Sequence, residues 1–159
     1  MQYLPLNINI TGQQILIVGA GKVALHKIEG LERFTRSIKV LAPLVLDEIR
    51  ARSWIEIVEK PYEASDLRGH LLVYATTDNP VLNARIAEDG LRQGCLVNVV
   101  DNPSRGHFIS PAIYKRGYMT VAVSSNGKDV KSSVLWRNRI RQWVELDILT
   151  SLTAIHNNN

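Results

Sequence analysis

Two regimes of hydrophobic patterning divide the chain. Through about residue 105, short solid apolar runs alternate with longer stretches in which apolar residues recur every three or four positions. Solid runs of four or five residues suit strands buried on both faces. The three-to-four spacing suits helices packed on one side. Ile15–Val18, Ile38–Leu41, Leu71–Ala75 and Leu96–Val100 are the expected buried strands, with an alternating extra strand over Ile55–Glu59. Lys22–Arg33 predicts the first helix, with Val23, Ala24, Ile28 and Leu31 as its stripe, although Gly30 within it costs about 1 kcal/mol relative to alanine. A helical piece is expected around Leu44–Arg52. Asp78-Asn79-Pro80 places a capping side chain before a proline, which predicts a helix running to about Arg92 and ended by Gly94. The alternation predicts an α/β fold: a Rossmann-like, doubly wound parallel sheet with helices on both faces.

The last third is patterned differently. His107–Ile113 and Met119–Ser124 predict two strands joined by a turn at Lys115-Arg116-Gly117. In the second, Met119, Val121 and Val123 share one face and Thr120, Ala122 and Ser124 the other. Ser132–Leu149 predicts a helix with Val134, Leu135, Ile140, Val144 and Ile148 among its apolar positions, and the tail Ser151–Asn159 is expected to fray. The expected organisation is a nucleotide-binding domain over 1–105, a small β region over 106–128 and a helical segment over 129–159. No internal repeat is visible.

Composition narrows the class. The chain has 159 residues, 45% hydrophobic and 21% charged, enough for one domain with a real core and too apolar for general disorder. No apolar run reaches membrane-spanning length, and the first residues lack the basic start and long apolar stretch of a secretion signal. The lone cysteine, Cys95, excludes an intramolecular disulfide and a cysteine-cluster metal site, and its apolar neighbours suit a small core residue. A cytoplasmic location away from membranes is the expectation. The net charge of +4 is uneven: Lys115, Arg116, Lys128, Lys131, Arg137, Arg139 and Arg141 face only Asp129, Glu145 and Asp147 in the last third. Such a balance suits an anionic partner, a nucleic acid or a polycarboxylate small molecule. No aromatic-interleaved basic motif or helix-turn-helix pattern supports nucleic acid, so none is expected.

The chemistry begins at Ile15-Leu-Ile-Val-Gly-Ala-Gly-Lys-Val-Ala24, where G-x-G-x-x-A follows an apolar strand and opens a helix. Gly19 allows the tight turn, Gly21 lets a diphosphate approach the backbone, and Ala24 keeps the helix near the sheet. Amide groups at the helix start then face the phosphates with a favourable dipole. The same turn also occurs in doubly wound proteins without a nucleotide. Three further segments lie beyond C-terminal strand ends, where ligands of such sheets bind: Ala42-Pro43-Leu44, Ala75-Thr76-Thr77-Asp78, and Asn98 through Pro103. Thr76 and Thr77 offer hydroxyls there, and equally suit a turn leading to the helix cap. No Asp or Glu stands where one usually holds the adenosine ribose, and Arg36 and Lys39 lie outside the loop that would greet a 2′-phosphate. Asp101 ends an apolar strand at the mouth of the expected cleft. It suits a general base and equally a turn-capping Asp before Asn102-Pro103. His107 can hold a metal or a proton, although a lone histidine is more often structural. No HxxxH or HExxH spacing occurs, so no metal site is expected.

These elements together resemble the precorrin-2 dehydrogenase family, which also forms the N-terminal part of siroheme synthases. The likeness rests on Tyr3-Leu-Pro-Leu6, Val18-Gly-Ala-Gly-Lys-Val-Ala24, Ala42-Pro43, Ala75-Thr-Thr-Asp-Asn-Pro-Val-Leu-Asn83, Val97-Asn-Val-Val-Asp-Asn-Pro103, Phe108-Ile-Ser-Pro-Ala-Ile113 and Val121-Ala-Val-Ser-Ser-Asn-Gly-Lys128. In order and spacing they cover residues 1 to about 128. The resemblance implies that NAD+ accepts a hydride from precorrin-2, a tetrapyrrole polycarboxylate, giving sirohydrochlorin on the path to siroheme. It implies that Asp101 is the catalytic carboxylate, a general base. It implies an NAD pocket lined by Gly21, Lys22, Val23, Pro43, Leu44 and Thr76, with Gly19, Thr77 and Asn98 as further candidates on their placement. Ser125 matches a serine of the tetrapyrrole cleft, and Lys115, Arg116, Lys128 and Lys131 are candidates for a basic rim around the substrate. The family usually forms a homodimer through the small β region, here residues 107–124.

Two departures from the family pattern are visible. Asp129-Val130-Lys131 stands before Ser132, and the chain stops at 159, where typical members continue into a further helical domain. Two alternatives stand beside a dehydrogenase acting alone: a non-catalytic NAD-binding scaffold or regulatory module, suggested by the shortened C-terminus, and a bifunctional dehydrogenase and ferrochelatase, implied by family members that also insert iron.

Overall fold

A computed structural model describes the backbone of residues 1–156 and the side chains of residues 1–147. The chain forms two compact units, Met1–Ile109 and Ser110 onward. In the first, β1 (Ile15–Val18), β2 (Ile38–Leu41), β3 (Glu56–Val58), β4 (Leu72–Ala75) and β5 (Leu96–Val99) make an all-parallel sheet in the order β3-β2-β1-β4-β5. The chain runs outward from β1 to β3, then crosses back to β4 on the other side of β1. The order therefore reverses between β1 and β4, which is where such sheets open a crevice at their C-terminal edge.

Alternation along each strand splits the core. Ile15, Ile17, Val40 and Tyr74 pack with Ala24 and Ile28 of α1 (Lys22–Leu31) and Ile49 of α2 (Asp47–Arg50). Leu16, Val18, Val73 and Val97 pack with Ile86 and Ala87 of α3 (Pro80–Gln93) and with Leu67 in a 3-10 turn over Ala64–Leu67. Both faces of the sheet are thus covered, which explains the solid apolar runs. Asn79 is the residue that caps α3, its side chain accepting from the amides of Val81 and Leu82, with Pro80 in the first turn and Gly94 left-handed at the end. Cys95 is buried in this core, as its neighbours predict.

The open edge of β5 is not left bare. His107 donates its amide to the Val97 carbonyl at 2.7 Å, and its Nδ1 accepts from the Val97 amide at 3.0 Å. His107 thus serves the edge of β5 as a structural partner through its backbone amide and Nδ1. No group of three or more His, Cys, Asp or Glu able to hold a metal occurs among the described residues.

In the second unit, β6 (Ala112–Arg116) and β7 (Met119–Val123) form an antiparallel hairpin, followed by α4 (Val130–His156). Three expectations shift here. The first strand lies later than His107–Ile113, because the backbone of residue 107 is taken by β5. Lys115 and Arg116 consequently belong to the strand and pair with Thr120 and Met119, leaving Gly117 in the turn. The helix starts earlier and runs further than Ser132–Leu149. Asp129 caps it, with its carboxylate accepting from the Ser132 amide at 2.9 Å, and the helix passes through the tail expected to fray as far as His156. Residues 157–159 of that tail lie outside the described residues. Of the apolar positions of α4, Val134 and Leu135 are exposed. No helix among the described residues is long and apolar enough to cross a membrane.

Candidate nucleotide-binding and catalytic site

The glycine turn joins β1 to α1 at the point where the strand order reverses. Gly19 has φ +104°, a conformation L side chains rarely adopt, and a Cβ there would lie 2.8 Å from the Thr76 carbonyl carbon. Gly21 differs: its φ is −89°, and a Cβ built on it meets nothing within 4 Å. The first glycine is required by the protein and the second leaves room for something else. Leu25 begins the helical ladder, donating to the Gly21 carbonyl at 3.0 Å, so the amides of Lys22, Val23 and Ala24 have no acceptor within the helix. No acidic side chain stands in the first turn to compete for them. Lys22 and Val23 are exposed at this mouth, as are Pro43 and Leu44 after β2. The turn is braced from both sides: the Gly19 amide donates to the Leu41 carbonyl at 2.9 Å, and Leu46 donates to the Ala20 carbonyl at 3.1 Å. An open, amide-lined helix start without competing acid fits the diphosphate of a dinucleotide.

Thr76 and Thr77 follow β4 and do different work. Thr76 is buried, and its hydroxyl donates to the Val18 carbonyl at 3.0 Å, tying β4 to the glycine turn from beneath. Thr77 uses its hydroxyl on the Asn83 side-chain oxygen at 2.7 Å. Asn83, in α3, in turn donates to Asp101 Oδ1 at 2.9 Å. Asp101 is exposed just beyond β5, and no second partner for its carboxylate occurs among the described residues. It lines an open depression of about 400 Å³ with Pro80, Val81, Ala84, Arg85 and Arg105. Asn98 is buried, its amide donating to the Phe108 carbonyl at 2.8 Å. Its side chain is therefore turned into the packing beside β5 instead of being presented at the surface.

Residues 6–112 match the family described as "Putative NAD(P)-binding". The chain belongs to this NAD(P)-binding family. It is 39% identical over 147 residues to a siroheme synthase of Azotobacter vinelandii, covering 91% of this chain and 32% of that protein. A siroheme synthase of Ectopseudomonas mendocina is 39% identical over 145 residues, covering 91% of this chain and 31% of the relative. The chain thus spans about a third of the length of these relatives. Among solved structures, that of "SirC, precorrin-2 dehydrogenase" is similar with a TM-score of 0.70 and 25% identity, covering 91% of this chain and 71% of that one. The resemblance to precorrin-2 dehydrogenases carried by the motifs holds in sequence and in fold.

Within the NAD(P)-binding family, a 2′-phosphate needs a cation near the adenosine ribose. Arg36 instead lies over the Trp54 ring at 5.9 Å, and Lys39 pairs with Glu56 at 2.9 Å. Arg36 and Lys39 thus each have a partner within the protein.

The substrate candidates of the second unit are described by themselves. Arg116 and Lys128 are exposed, and Lys115 donates to the Gly117 carbonyl at 2.9 Å across the hairpin turn. Ser125 is half-buried, and its hydroxyl donates to the Asp129 carbonyl at 2.8 Å and accepts from the Asp129 amide at 2.9 Å. That hydroxyl shapes the loop leading into α4. Sequence reasoning missed Asn83 as a site residue. Its only signal was its place at the end of the A-T-T-D-N-P-V-L-N motif.

Proposed function

We propose that this chain oxidises precorrin-2 to sirohydrochlorin with NAD+ on the way to siroheme, as an enzyme of the cytoplasm. One relationship carries the proposal. A dinucleotide turn and an outward-facing carboxylate share the C-terminal edge of one sheet, joined by the run from Gly19 through Thr76, Thr77 and Asn83 to Asp101. The names of the similar proteins, siroheme synthase and precorrin-2 dehydrogenase, support the substrate class. The commitment of Arg36 and Lys39 supports NAD over NADP.

NAD+, when bound, supplies the hydride acceptor. The helix start at Gly21–Ala24 holds the diphosphate, and the exposed Lys22, Val23, Pro43 and Leu44 border the bound nucleotide. Asp101 takes the proton released as a substrate C–H bond gives up its hydride. Thr76, Thr77 and Asn98 act from within, shaping the strand ends. Lys115, Arg116 and Lys128 attract the substrate carboxylates, with Ser125 ordering the loop that carries Lys128. The β region over 107–124 pairs two copies into a homodimer, an assignment supported by the exposure of Tyr118 and Met119.

Anaerobic incubation with precorrin-2 and NAD+ is expected to generate NADH. An Asp101→Ala variant is expected to bind NAD+ and the tetrapyrrole yet form no NADH. Full turnover by that variant would overturn the assignment of Asp101.

A further inference from the structure

Asn83 is the best-satisfied polar side chain near the site, and it contacts no solvent that could explain its amide. It is 1% exposed. Its oxygen accepts from the Thr77 amide at 3.1 Å and from the Thr77 hydroxyl at 2.7 Å. Its nitrogen donates to the Thr77 carbonyl at 3.0 Å and to Asp101 Oδ1 at 2.9 Å. Both N–H donors and both acceptor positions of the amide are therefore used. The orientation is not a matter of choice. A backbone N–H can only donate, so Oδ1 must face Thr77, and the NH2 group must then face the Thr77 carbonyl and the carboxylate. Turning the amide over would set two donors against each other and place an oxygen against two more.

We propose that Asn83 is the positioning residue for the proton-accepting carboxylate: held rigidly by Thr77, it fixes one oxygen of Asp101 and leaves the other directed to the reacting substrate. This rests on the role given to Asp101 above. The division of labour follows from the geometry. Asp101 itself is exposed and on a loop, so without a second anchor its side chain would sample several rotamers. A donor rooted in a helix and a strand end removes that freedom before substrate arrives. The donor is neutral, so it orients the carboxylate without the competing charge that an arginine or lysine would bring.

Asn83→Leu keeps the volume and removes the donor. Its kcat is expected to fall roughly 10²-fold while KM for NAD+ stays within about a factor of two, because the glycine turn is untouched. Asn83→Asp, nearly identical in shape, replaces the donor with an acceptor and is expected to lose rate likewise; it serves if the leucine variant does not fold. A readout independent of turnover is the side-chain NH2 signal of Asn83 in a ¹⁵N-correlated NMR spectrum of the full chain. One proton is expected far downfield and to move upfield in Asp101→Ala. A folded Asn83→Leu or Asn83→Asp protein with unchanged kcat, or an Asn83 signal indifferent to Asp101→Ala, would overturn the inference. If instead Asp101→Ala keeps full rate while the Asn83 signal moves, the general-base assignment fails and the anchoring contact stands.

Discussion

A Cβ added to Gly19 would sit 2.8 Å from both the carbonyl carbon and the oxygen of Thr76. This contact closes the floor of the dinucleotide turn, because Thr76 returns its own hydroxyl to the Val18 carbonyl. The two glycines of the motif should therefore respond differently. Gly19→Ala combines a strained φ with a backbone overlap that no rotamer can relieve, and is expected to lose about 3 kcal/mol or more in denaturant titrations. Gly21→Ala is expected to cost about 1 kcal/mol or less, yet to weaken NAD+ binding in calorimetry. Gly21→Asp should abolish binding by adding negative charge where phosphate sits. Unchanged affinity in a folded Gly21→Asp protein would refute the turn as the nucleotide site.

Further along α3, Tyr62 donates to Asp89 Oδ2 at 3.0 Å, and Arg85 and Arg92 pair with the same carboxylate. Burial works against the charged form of Asp89, but the hydrogen bonds from Arg92 and Tyr62 outweigh it and hold the carboxyl below its usual value. A depressed folded value stabilises the fold above the unfolded pKa of about 3.9, and that contribution disappears as pH falls through the folded value. Urea midpoints measured across this acidic range should fall more steeply for the parent than for Asp89→Asn. Equal slopes would show that Asp89 does not contribute. Tyr62→Phe, at neutral pH, is expected to cost about 1–3 kcal/mol, since it removes a donor from a buried charge.

Arg116 and Lys128 are exposed and basic. The double charge reversal Arg116→Glu with Lys128→Glu is expected to raise KM for the tetrapyrrole roughly tenfold and to blunt its salt dependence. KM for NAD+ should not change. Steady-state kinetics at two ionic strengths separates this from a general loss of folding, and an unaltered tetrapyrrole KM would remove these residues from the substrate rim.

Met119 is 76% exposed at the start of β7 and stands beside the fully exposed Tyr118. Large apolar side chains grouped in this way usually mark a contact surface. Met119→Glu is expected to shift sedimentation from dimer to monomer without loss of helical signal. A parent protein that sediments as a monomer at micromolar concentration would refute the pairing.

Local periodicity and local stereochemistry account for the features legible from residue order alone. The strands over residues 15–18 and 38–41, the Asn79-Pro80 start and Gly94 stop of α3, and the turn at Gly19 and Gly21 are all short-range consequences of residue type. The strand order, the burial of Thr76 beneath the turn, and the use of His107 as a partner for Val97 come from contacts between residues far apart in the chain. That last contact is why β6 begins at Ala112: the backbone of residue 107 had already found its acceptor on another strand. Asn83 shows the same limit at the site. An asparagine in a helix reads as an unremarkable polar residue until folding brings Thr77 and Asp101 to either end of its amide. A hydrogen bond has direction, and only the tertiary structure supplies the direction.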